Sequence, residues 1–88
     1  MWARLVAWWR GGAVPETRLT ADAARAVANA AMTGDWAHYA GRMTVAAAEL
    51  RDGRAVWQVG SATIGSGVFV IIDDATGEVL ERRSWGLR

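Results

Sequence analysis

Apolar positions in the first ten residues recur with a helical period. Trp2, Leu5, Val6 and Trp9 stand at the i, i+3, i+4, i+7 spacing of one face, and Arg4 and Arg10 lie off it. Gly11-Gly12 ends this pattern, and "GGAVPETR", with Pro15, reads as an irregular connector. The next stretch, "LTADAARAVANAAMTGD", predicts a helix from about Ala21 to Thr33. Thr20 is suited to cap its first turn, Asp22 to the positive end of its dipole, and Gly34 to stop it. Ala24, Val27, Ala28 and Ala31 form a stripe of small side chains that lets the helix lie close on a sheet. "DWAHYAG" adds a helical turn or two.

After Gly41 the pattern changes to short runs separated by turn chemistry. Met43 to Leu50 reads as a first strand, and Asp52-Gly53 as a type I′ turn, which needs positive φ at both central residues. The turn leads into a second strand from Ala55 to Ile64, with Ala55, Trp57 and Val59 on one face and Val56 and Gln58 on the other. Trp57 is the expected core anchor. "GSATIGSG" reads as a flexible loop closing a second hairpin into "VFVIID", whose near-continuous apolar run marks a central strand. "EVLERRSW" forms the last strand, with Glu81, Arg82 and Arg83 suited to a solvated edge. The predicted fold is α+β: a main helix packed on a four-stranded antiparallel meander sheet, preceded by an N-terminal amphipathic helix. Residues 1–12 form the Trp-rich helix of this scheme and residues 19–88 the helix-plus-sheet domain.

Length and charge narrow the picture. A chain of 88 residues is one domain with one thin core. Its ten basic residues, all arginine, nearly balance nine acids, and a net charge of +1 gives no field for nucleic acid. Without cysteine there is no disulfide framework and no thiolate chemistry. The apolar start is interrupted by Arg4, ends at Arg10 and leads to no small-residue cleavage site, so it does not read as a signal peptide. At about 10 residues it is also shorter than the roughly 20 a membrane span requires. The expected location is cytoplasmic, with peripheral attachment to a membrane surface as the alternative.

The most chemically suggestive stretch is "IIDDATGEVL", which puts Asp73, Asp74 and Glu78 between two apolar runs. Asp side chains accept backbone N–H bonds in turns, and Gly77 suits the left-handed position that closes one, so a hairpin turn accounts for the acids. A calcium loop would need ligands alternating over a longer stretch and a closing bidentate Glu. His38 is the single histidine, and no metal-ligand spacing surrounds it. Ser61, Ser66 and Ser84 lack a nucleophile-elbow context. "GSATIGSG" lacks the lysine of a phosphate loop and joins strands instead of opening a helix. Arg82, Arg83, Trp85 and Arg88 mix basic and aromatic groups, as single-strand binders do, yet a solvated edge strand explains them. No catalytic residue, cofactor site, metal site or small-molecule substrate is expected.

The helix "LTADAARAVANAA", Gly41 near the start of a strand, the acidic Gly-turned hairpin leading to Trp57-Gln58-Val59, and the closing D-x-x-T-G-E-V from Asp73 to Val79 together resemble a PepSY domain over roughly Leu19 to Arg83. The resemblance implies a helix-on-sheet module found in metallopeptidase propeptides, in membrane-attached regulators and as free-standing proteins that bind or inhibit peptidases. It brings no catalytic residues. The Trp-rich N-terminal segment departs from the family pattern, as does the lack of an evident export signal or anchor.

The expected function is therefore a non-enzymatic binding or regulatory module contacting a protein partner, or a second copy of itself, through the Trp-rich N-terminal helix or an open sheet edge. Trp2, Trp8, Trp9, Trp85, Arg82 and Arg83 are the candidate partner-binding residues. If Trp2, Leu5, Val6 and Trp9 instead fold back onto the sheet, they are core; exposed, they suit a partner protein or a membrane surface.

Overall fold

The computed structural model describes residues 16–86. The order is a helix α1 (Ala21–Ala30), a 3₁₀ helix (Gly34–Tyr39) and four strands, β1 (Met43–Arg51), β2 (Arg54–Ser61), β3 (Ser66–Asp73) and β4 (Val79–Gly86). The strands form one antiparallel sheet in the order β1-β2-β3-β4, as the meander requires. The expected α+β arrangement is present. The expected N-terminal helix over 1–12 lies outside the described residues.

Thr20 caps α1 by accepting the Ala23 N–H at 3.1 Å, and Asp22 pairs with Arg25 one turn on. The helix ends about three residues before the expected Thr33. The amides of Ala31 and Met32 reach the carbonyls of Ala28 and Asn29 at 3.2 Å each, tightening the last turn and directing Met32 into the core. Ala24 and Ala28, the centre of the small-residue stripe, are fully buried against Trp57, Val59, Val68, Val70 and Ile72. Their size lets helix and sheet backbones approach closely.

Trp57 pairs with Ile72 and Val59 with Val70, so the β2 and β3 side chains facing α1 make a continuous apolar layer. Asp52 and Gly53 have φ of 53° and 75°, the backbone that a type I′ turn demands. β2 stops at Ser61, short of the expected Ile64. The Ser61 hydroxyl accepts the Val68 amide at 3.1 Å and shares a 3.1 Å hydrogen bond with the Thr63 hydroxyl, which bonds the Ser66 carbonyl. The glycine-rich loop is thus tied by hydroxyls where the sequence suggested flexibility, and Ile64 projects from its tip into solvent.

Candidate functional site

The paired acids of the β3–β4 turn divide their work between backbone closure and long-range tethering. Asp73 closes the turn through its main chain: its amide donates to Glu78 O at 2.9 Å, and its carbonyl accepts the Gly77 amide at 2.7 Å. Gly77 takes φ 75°, the left-handed position anticipated for it. The Thr76 hydroxyl donates to Asp73 Oδ2 at 3.1 Å, while Asp73 Oδ1 is buried with no hydrogen-bond partner among the described residues.

Asp74 reaches across the fold. Its Oδ2 accepts the Arg18 amide at 2.6 Å, and its Oδ1 accepts both the Leu19 amide at 2.9 Å and the Trp57 indole Nε1–H at 2.9 Å. The Arg18 guanidinium returns to the Asp74 carbonyl at 3.2 Å. One carboxylate therefore holds the approach to α1, the core indole of β2 and the β3–β4 turn together. Burial alone would raise its pKa. The two amides, the indole N–H and the nearby Arg18 charge outweigh that effect, and the carboxyl titrates below its ordinary value of 3.8. A carboxylate saturated by fixed donors is a tether, with little capacity left to act as a general base.

Two further polar anchors escape a sequence reading. Asn29, on α1, accepts the amides of Gly41 and Met43 at 2.8 and 3.0 Å, and its NH2 donates to the carbonyls of Arg25 and Met43 at 2.9 and 3.2 Å. It fixes the start of β1 to the helix. At the other edge, Arg82 donates to the Ala31 carbonyl at 3.1 Å, and its guanidinium lies 5.3 Å from the centre of the Trp36 ring. The last turn of α1 carries no basic residue of its own, so β4 supplies the cation that the negative helix end favours.

The candidate partner-binding residues separate accordingly. Arg82 points toward the helix. Arg83 and Trp85 lie on the opposite face of β4, where Arg83 pairs with Glu81. Trp85 is 41% and Leu80 46% exposed, giving the β4 edge two large apolar side chains in solvent. Trp2, Trp8 and Trp9 lie outside the described residues. His38 is exposed on the 3₁₀ helix beside Tyr39, with ring centres 4.2 Å apart, and Ser61 is occupied by the β3 backbone. Among the described residues no three His, Asp or Glu side chains are placed to hold a metal ion, and no helix is long and apolar enough to cross a membrane.

A helix laid on a four-stranded antiparallel meander, with Asp74 and Asn29 tethering its segments, defines a small scaffold module. The chain belongs to the PepSY family: the family model described as "Peptidase propeptide and YPEB domain" matches residues 18–83, three quarters of the sequence. This is a family of propeptide-like, peptidase-regulatory modules. No curated protein and no solved structure matches the chain. The matched span begins at Arg18, whose amide meets Asp74, so the tether lies inside the family unit.

Proposed function

We propose that this protein is a non-enzymatic regulatory module that binds a peptidase as its protein partner through the open edge of β4. The observation that carries this reading is the combination of PepSY membership with a terminal strand whose outer side has no neighbouring strand among the described residues and which exposes Leu80 and Trp85. An edge strand offers backbone N–H and C=O groups to an extended segment of a partner, and exposed aromatic and aliphatic groups anchor the added strand. Arg83 beside Trp85 suits an acidic partner segment. Among the described residues the β4 edge is a better contact surface than β1, where Asn29 already engages the backbone at the strand's start.

The test is titration of the full-length protein into activity assays of metallopeptidases stripped of their own propeptides, with strand-edge variants alongside. Saturable inhibition weakened at least tenfold by Trp85→Asp or Leu80→Asp is the expected result. Absence of binding to every peptidase tried, or inhibition indifferent to both substitutions, refutes the reading.

A further inference from the structure

The β2–β3 connection, residues 62–65, lifts one aliphatic side chain clear of the protein. Ile64 is fully exposed at its tip, whereas the other large exposed aliphatics among the described residues, Val45, Leu50 and Leu80, are 46–62% exposed. A lone apolar residue on a floppy loop would be ordinary. This loop is braced. The Ser61 hydroxyl accepts the Val68 amide at 3.1 Å and meets the Thr63 hydroxyl at 3.1 Å, and Thr63 in turn donates to the Ser66 carbonyl. Gly65, beside Ile64, takes φ 86° and turns the chain back into β3. Both hydroxyls and the Trp85 ring converge over Gly67: a Cβ there would stand 2.5 Å from each hydroxyl oxygen and 2.9 Å from a Trp85 ring carbon. The loop also adjoins the strand offered to a partner, since Ser66 pairs with Gly86 and Gly67 with Trp85 at the end of β4.

We propose that Ile64 enters a hydrophobic specificity pocket of the peptidase, one shaped for a branched aliphatic side chain, while an extended segment of the same enzyme adds to the β4 edge; this role rests on the peptidase reading of that edge. A fully exposed side chain has no contact to give up in the free protein, so its transfer into an apolar pocket strengthens binding by about ten- to hundredfold. The hydroxyl ties hold the loop in one shape before it meets a partner, and a loop already ordered loses little freedom on binding. Ala62 and Gly65 add little bulk around the tip, and no charged residue lies between Arg54 and Asp73, so the loop fills an apolar pocket without burying a charge. Trp85 serves twice, as a buttress over Gly67 and as an exposed group of the edge strand, which makes strand pairing and pocket filling one continuous contact.

The test measures inhibition by the full-length chain of a propeptide-stripped metallopeptidase that cleaves beside branched aliphatic residues, with a short peptide as substrate. Inhibition is expected to be competitive with the peptide and at least tenfold weaker for Ile64→Asp, whereas Ile64→Leu should stay close to wild type. The urea midpoint of Ile64→Asp should match wild type, because the side chain at position 64 is fully solvated. Thr63→Val unties the loop and should turn the chain into a substrate, with cuts next to residue 64 accumulating by mass spectrometry while wild type stays intact. Leu80→Asp, at the opposite end of β4, reads the edge by itself. Inhibition weakened by Leu80→Asp but unchanged in Ile64→Asp overturns the pocket contact and leaves the edge reading standing. Inhibition that is not competitive with the peptide, or a wild-type loop cut as fast as that of Thr63→Val, also overturns the pocket contact. No inhibition by the wild-type chain overturns both.

Discussion

Replacing Asp74 with asparagine exchanges one oxygen for an NH2 group and removes one charge, which makes it a sharp probe of the tether between the start of the domain and its last hairpin. The carboxylate accepts three N–H groups, from Arg18, Leu19 and Trp57, at 2.6 to 2.9 Å. Asparagine keeps one oxygen, which can still serve Leu19 and Trp57, but sets an NH2 group against the Arg18 amide. Hydrogen bonds to a charged acceptor contribute about 1.5–3 kcal/mol each, so losing one outright and weakening two costs about 2–4 kcal/mol. A domain of this size has about 4–13 kcal/mol to lose. With a urea slope of about 1 kcal/mol per molar, the midpoint should fall by about 2 M or more. Circular dichroism through a urea series at pH 7 measures this, with exposed Asp35→Asn as the control. The effect also carries a pH signature. Because the folded state holds the Asp74 pKa below 3.8, its contribution is full above about pH 4 and is lost as pH falls through the folded value. The gap between wild type and Asp74→Asn should therefore narrow on acidification. A change within about 0.5 kcal/mol at pH 7, typical of surface substitutions, would refute the tether.

Other anchors make comparable demands. Asn29→Ala leaves the Gly41 and Met43 amides and the Met43 carbonyl without their partner, and should cost about 2–3 kcal/mol by urea unfolding, with amide exchange rising first at the start of β1. Arg82→Ala and Trp36→Leu should each cost about 1 kcal/mol, and the double variant less than their sum, since both report one contact at the end of α1; simple additivity in the double-mutant cycle would count against it. Gly67→Ala should destabilise by about 1–3 kcal/mol, because a Cβ there would meet Ser61 Oγ and Thr63 Oγ1 at 2.5 Å and a Trp85 ring carbon at 2.9 Å. Thermal unfolding of Gly67→Ala with and without Trp85→Ala checks this: removing the indole should recover part of the loss, and no recovery would assign the strain to the hydroxyl pair alone.

What the sequence determined is what local rules control. The cap at Thr20, the alanine stripe of α1, the Asp52-Gly53 turn and the glycine of the β3–β4 turn are each legible, because helix starts and tight turns depend on φ, ψ and side chains within a few residues. Alternation likewise separated Trp57 and Val59 from Val56 and Gln58, and the family pattern followed from those elements. What only the tertiary structure decided is where polar groups find partners far along the chain. Asp74 meets Arg18 and Leu19 more than fifty positions away, and Arg82 reaches the end of α1 across a similar separation. In the sequence both look like ordinary turn and edge residues. Hydrophobic periodicity fixes which face a residue takes, whereas hydrogen bonds between distant segments depend on how close packing brings those faces together. The same limit applies to the sheet's second face: alternation placed Val56 there, but only the folded chain showed Val56 and Ile71 to be buried.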